Sequence, residues 1–138
     1  MIMMKEKNTF QPLNLKHVCL IYELLLERKL VSFPLTQEGE NKIQSLVSSI
    51  TSIYFGQEIY KTAEEKAVAY LYFLIKDHPF TDGNKRTACL TFETVCKLNG
   101  LQADYKDYSL DVVAIFIEKI QEPDHQMVIK IISDMLFE

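Results

Sequence analysis

Apolar residues recur at spacings of three and four through most of this chain, the period of helices that bury one face. Leu15, Val18, Tyr22 and Leu25 form the first stripe, and Asn14 stands where an N-cap belongs. A helix is therefore predicted from about Leu15 to Lys29, followed by a connection over Val31 to Thr36 that contains Pro34. Ile43, Leu46, Val47 and Ile50 predict a second helix reaching Ile53. Gly39 leaves its start open between Gln37 and Glu40. Thr62-Ala63-Glu64-Glu65 has the form of a capping box, opening a helix with Ala63, Ala67, Leu71 and Leu74 that ends near Asp77. Ala88, Phe92, Val95 and Leu98 mark a helix from Asn84 to Asn99, with Gly100 as its C′ residue. Its apolar residues lie on several faces, so it is expected to be the buried centre. Ser109 caps a fifth helix carrying Leu110, Val113, Ile117 and Ile120. Pro123 and Asp124 open a sixth with Val128, Ile131, Ile132 and Met135.

The helical period breaks at Tyr54-Phe55-Gly56-Gln57-Glu58-Ile59-Tyr60. Aromatic and β-branched residues around a glycine suit a short extended flap or hairpin; a plain loop burying its aromatics is the alternative. The expected fold class is all-α, a bundle of about six helices with at most a small β flap. His17 and His125 fall in first turns of helices and read as surface residues without a functional role.

Composition narrows this picture mainly by exclusion. At 138 residues the chain fits one domain with a core of ordinary size, taken as 12–138 after a flexible lead-in over 1–11. A net charge of −4 argues against a broad nucleic-acid surface, while leaving room for a local basic pocket. Cys89 and Cys96 are seven apart on one helix, about 10 Å along its axis, too far for a disulfide. With Cys19 they read as free thiols in a reducing cytosol. No apolar run approaches the roughly 18 residues of a membrane span, and Met1 to Gln11 lacks the apolar core of a signal peptide. A cytoplasmic location is expected.

The chemistry concentrates in His78-Pro79-Phe80-Thr81-Asp82-Gly83-Asn84-Lys85-Arg86-Thr87, between the third and fourth helices. The start of a helix presents N–H groups without internal partners, and the helix dipole adds partial positive charge. Gly83 permits close approach to the backbone and a positive φ, and Asn84 can hold the turn through its amide. Lys85 and Arg86 add full charge, Arg86 with a fork suited to phosphate oxygens. Asp82 makes sense beside a phosphate if Mg²⁺ bridges the two. His78, of near-neutral type, can take a proton from an attacking hydroxyl. Taken singly, each piece has a plainer reading. A His before Pro is a turn residue, Asp-Gly-Asn is turn chemistry, Lys-Arg is a solvated face, and Phe80 is a core anchor for the loop. Apart from the anchor, which stands, no single plain reading accounts for all of them together.

The run His-Pro-Phe-Thr-Asp-Gly-Asn-Lys-Arg resembles the signature of the Fic/Doc (Fido) family, H-x-F-x-[D/E]-[G/A]-N-[G/K]-R. The resemblance implies His78 as general base for a target hydroxyl, Asp82 as the Mg²⁺ ligand, and Gly83, Asn84, Lys85 and Arg86 as the anion site for ATP phosphates. It implies Phe80 as the anchor of the loop. It also implies that the segment before the third helix, Tyr54, Phe55, Gly56, Gln57, Glu58, Ile59 and Tyr60, is a flap that docks the target main chain by strand addition.

Two departures bear on the subclass. The AMP-transferring pattern has Gly where this chain has Lys85, and a second Arg where it has Cys89. Both changes resemble the Doc branch, the toxins of toxin–antitoxin pairs, in which the nucleotide lies reversed and the γ-phosphoryl group is transferred. A lysine side chain adds bulk and charge at the phosphate site, and loss of the Arg removes a clamp for distal phosphates. The expectation is therefore ATP-dependent phosphoryl transfer to a protein hydroxyl, with a translation factor as the target the resemblance implies and a separate antitoxin as the partner. AMP transfer through the same loop is the alternative within enzymes, and a non-catalytic anion- or protein-binding module is the alternative outside them. Thr36-x-x-x-Glu40-Asn41 resembles the family's self-inhibitory motif, but the Arg that such a Glu pairs with is Cys89 here. Glu40 is read as helix N-terminal charge instead.

Overall fold

The computed structural model describes residues 9–106 and 108–137; residues 1–8 of the predicted lead-in lie outside them. Six helices form: α1 (Leu15–Glu27), α2 (Gln37–Ile50), α3 (Ala63–Lys76), α4 (Asn84–Leu98), α5 (Leu110–Lys119) and α6 (His125–Leu136). A two-stranded antiparallel hairpin, β1 (Ile53–Tyr54) and β2 (Gln57–Glu58), lies between α2 and α3, pairing Ile53 with Glu58 and Tyr54 with Gln57. The fold is the expected all-α bundle with a small β element.

Side-chain caps fix the helix starts. The side chains of Asn14, Thr36, Thr62, Ser109 and Asp124 each accept an N–H from the first turn they precede. In α1 the box is closed by a histidine, Asn14 N–H donating to His17 Nδ1 at 3.1 Å, which gives that exposed residue a structural task. In α3 the Glu65 carboxylate reaches past the N-cap and accepts from Lys61 N–H at 3.1 Å. α2 begins at Gln37, the earlier of the two predicted starts, because Thr36 caps it despite Gly39.

The buried centre is α3, not α4 as the stripe pattern suggested. Nine of its 14 residues are buried, and it packs on α2, α4, α5 and α6. Ala67 and Ala69 let neighbouring helices approach, while Tyr70 and Tyr72 bring hydroxyls that must find partners inside. Tyr70 donates to the Leu13 carbonyl at 2.7 Å and accepts from its N–H at 3.0 Å, tying the start of the chain to the core. Asn99 binds both backbone groups of Gln11. Helix α4 buries Thr87, Ala88, Thr91, Phe92, Val95 and Cys96 and leaves Leu98 about half exposed. The stripe of α6 is also rotated from the predicted one: Val128, Ile129, Ile132 and Leu136 are buried, whereas Ile131 and Met135 face outward.

Helix α2 positions the loop after α3. Gly39 is buried in its first turn, and an added Cβ there would overlap the Pro79 carbonyl oxygen. Gly39→Ala is expected to lower stability by about 1–3 kcal/mol, the usual cost of overpacking a rigid contact. Urea denaturation of the two proteins checks this, with no loss of stability as the contrary result.

Candidate active site

Helix α3 ends at Lys76 with Asp77 as its C-cap, and the chain turns sharply. His78 has φ 47°, in the left-handed region that non-glycine residues rarely occupy, a conformation that costs about 1–3 kcal/mol and clusters at functional sites. Phe80 then dives inward. It is 5% exposed and stacks on Tyr22 of α1 with ring centroids 4.1 Å apart. The Tyr22 hydroxyl donates to the Phe33 carbonyl, so α1, the α1–α2 loop and Phe80 are fixed together.

Asn84 closes the loop with its side chain. Its Oδ1 accepts from Phe80 N–H at 2.9 Å and its Nδ2 donates to the Phe80 carbonyl at 2.8 Å. The amide is thus spent on the loop, and what Asn84 can offer an anion is its backbone N–H in the first turn of α4. Gly83 precedes it at φ 79° as the N-cap, without a side chain to cap the helix. A Cβ on Gly83 would overlap Val31, so the α1–α2 loop packs directly over the helix start. The N–H groups of that first turn are left for solvent or a ligand.

A cleft of about 900 Å³ opens at this helix start, within the range of small-molecule sites. His78, Asp82, Gly83, Asn84, Lys85 and Arg86 all line it. Leu25 and Leu30 form one wall, and Ala114, Ile115 and Glu118 of α5 form another. The Asp82 carboxylate makes no hydrogen bond or ion pair among the described residues. These residues hold no cluster of three or more metal-ligating side chains. A single carboxylate is nonetheless a donor set that suits Mg²⁺ carried with a phosphate, since the ion takes its other ligands from phosphate oxygens and water. Arg86 donates from Nη1 to the Leu30 carbonyl at 3.3 Å, and Lys85 Nζ donates to Glu118 Oε2 at 3.0 Å. That hydrogen bond holds the Glu118 carboxyl below its usual range, with the charges of Lys119 and His78 adding to it. Asp77 behaves in the opposite way, its carboxyl pushed up by burial against the opposing charges of His125, Lys42 and His78.

Cys89 also lines the cleft, one turn along α4. Burial pushes its thiol up to about 12, and the carboxylates of Asp111 and Glu93 add to this. It therefore presents a neutral group where a charged clamp would otherwise stand. Glu40 is absent from the cleft lining and bears on Cys19 of α1 instead.

The hairpin is the main correction to the sequence reading. Residues 54–60 fold as expected, but none lines the cleft. α2 starts against Pro79 and α3 ends at Lys76, two residues before His78, so the hairpin joins the far ends of both helices. Each helix has 14 residues, placing the hairpin about 20 Å from the histidine. Glu58 is held there by Lys66 in the first turns of α3, at 2.9 Å. The segment that does border the site is 28–36, through Leu30 and Val31, and its signal in the sequence was only Phe33 beside Pro34. His125 is exposed in the first turn of α6, as predicted, but it is not without contacts. Its Nδ1 lies 2.6 Å from the Tyr72 hydroxyl and its ring packs edge-on to Tyr72 and Phe73.

Fold and cleft together define an all-α domain with an anion-receptive helix start behind a strained histidine. The family model described as the Fic/DOC family matches residues 12–96, more than half of the sequence, and the chain belongs to that family. Its members are in general ATP-dependent transferases that use Mg²⁺. Neither a curated protein nor a solved structure matches the chain significantly. No helix among the described residues is long and apolar enough to cross a membrane.

Removing the Asn84 clasp leaves the buried Phe80 backbone unpaired, so Asn84→Ala is expected to cost about 1–3 kcal/mol. Faster hydrogen exchange at the Phe80 amide and a lower urea midpoint check it. The three thiols, raised by burial, are expected to alkylate slowly at neutral pH in the native protein and quickly in urea, because the thiolate is the reacting form. Mass spectrometry after iodoacetamide reads this residue by residue.

Proposed function

We propose that this protein transfers the γ-phosphoryl group of ATP to a hydroxyl of a target protein, as the Doc branch of its family does. The observation that carries the choice is the pair of side chains along α4. Lys85 puts an ammonium at the cleft wall where the AMP-transferring pattern has Gly, and Cys89 puts a neutral thiol where that pattern has a second Arg. Charge for a transferring phosphoryl group is thus concentrated at the helix start, and none is supplied one turn deeper.

The phosphates bind at the backbone N–H groups of the Gly83–Arg86 turn, with the Arg86 fork and Lys85 on their outer oxygens. Asp82 would hold Mg²⁺, which when bound offsets phosphate charge. The target segment approaches over the rim made by Leu30 and Phe33, since the hairpin is too distant to present it. His78 accepts the proton of the target hydroxyl. The hydroxyl oxygen bonds to the γ-phosphorus while the bond from that phosphorus to the β–γ bridging oxygen breaks, and ADP leaves. Lys85 and Arg86 stabilise the charge that spreads over the transferring oxygens. A translation factor as target and a separate antitoxin as regulator complete the reading, both on family grounds alone.

Purified protein incubated with a bacterial lysate and ATP labelled on either the γ- or the α-phosphate tests the reaction. Label is expected in protein from the γ position only; transfer of the α label would establish AMP transfer instead. His78→Ala is expected to lower transfer by about 10²–10⁴-fold with nucleotide binding retained, and undiminished transfer would remove the histidine from the chemistry. Asp82→Ala is expected to abolish the dependence of nucleotide binding on Mg²⁺.

A further inference from the structure

Both the lysine and the arginine that line the cleft are already engaged: Arg86 by the Leu30 carbonyl, and Lys85 by the Glu118 carboxylate 3.0 Å away on α5. The walls also carry Glu93 and Asp111. Carboxylates therefore outnumber side-chain cations in a cleft read as a phosphate site. The Lys85–Glu118 pair is about half exposed, with side chains 44% and 36% accessible. Such a pair is worth only about a two- to fivefold factor in an equilibrium constant, small enough for a multiply charged phosphate to displace.

We infer that Glu118 is the resident counter-ion of Lys85, and that a donor phosphate seats by taking its place on the ammonium. The inference rests on the phosphate-site reading given above. In the free protein Glu118 holds Lys85 against α5. The Asp82 carboxylate has no ion-pair partner among the described residues. When the donor arrives, Lys85 exchanges one anion for another, so no uncompensated charge is created on the lysine. The carboxylate is released to water, where an exposed side chain is readily solvated. The exchange subtracts from donor affinity, which makes Glu118 a positioning residue that sets how tightly nucleotide is held.

The test is calorimetric titration of the full chain with Mg²⁺ and a non-hydrolysable ATP analogue, for wild type, Glu118→Gln, Lys85→Met and the double variant. Glu118→Gln is expected to bind about two- to fivefold more tightly, Lys85→Met more weakly, and Glu118→Gln in the Lys85→Met background to bring no gain. A purely structural role for Glu118 would not tighten binding. Weaker binding by Glu118→Gln would mean that Glu118 touches the donor itself, and unchanged binding would mean that the pair does not compete. A gain that persists without Lys85 would reduce Glu118 to a general field. Each of these overturns the counter-ion assignment while leaving the phosphate site standing. Absence of binding by every protein, wild type included, overturns the phosphate site and the counter-ion with it.

Discussion

The site depends on one constraint: a strained turn must be held rigid while its polar groups stay open to a cleft. The solution is a buried ring below the turn and an amide across it. Phe80, stacked on Tyr22, anchors the turn in the core, and the Asn84 amide binds both backbone groups of Phe80, so the turn closes on itself. Both backbone groups of Phe80 are thereby satisfied without help from the cleft side. That is why the His78 imidazole, the Asp82 carboxylate and the N–H groups of α4 all remain outward.

Two close backbone approaches support this closure from the other side. Gly39 lets α2 touch the Pro79 carbonyl, and Gly83 lets the α1–α2 loop lie over the start of α4 through Val31. Both contacts exclude a Cβ, though for different reasons. At Gly39 the obstacle is backbone that cannot move. At Gly83 it is a side chain, but the positive φ adds its own penalty for any other residue. The first helix, the second helix and the loop between them are therefore a mould for a decapeptide far along the chain.

What the sequence made legible follows from locality. Caps, helix starts and the signature turn are set by residues within four positions of one another: Asn14, Thr62, Ser109 and Asp124 act where their spacing indicated, and Thr36 settles the start of α2 that Gly39 had left open. The identity of the central helix was not local. α3 is buried all round because Ala67 and Ala69 admit neighbours and Tyr70 finds Leu13 far away in sequence, neither of which a stripe of apolar residues reveals. The Lys85–Glu118 pair spans 33 positions and left no trace in the motif. Asn84 was legible as a turn holder, but that its amide is wholly committed to Phe80 emerges only from geometry.

The hairpin shows most clearly how correct local structure can mislead about a site. Residues 54–60 do form the expected element, with Phe55 at φ 51° and Gly56 at φ 78° supplying the paired left-handed residues of a tight two-residue turn. Their place is fixed by a different fact, the lengths and directions of α2 and α3. Helix α2 leaves the site at Gly39 and α3 returns to it at His78, so whatever joins them must lie at the opposite end. The buried Lys66, 5% exposed and paired with Glu58, fixes the hairpin there, because a buried ammonium without its carboxylate would be costly. The segment that borders the cleft beside His78 is instead the one between α1 and α2. There Tyr22 holds the Phe33 carbonyl, Arg86 holds the Leu30 carbonyl, and the Leu30 and Phe33 side chains remain about half exposed. The backbone of that rim is tied to the same two elements that build the cleft, so anything docking on it is registered directly against the histidine.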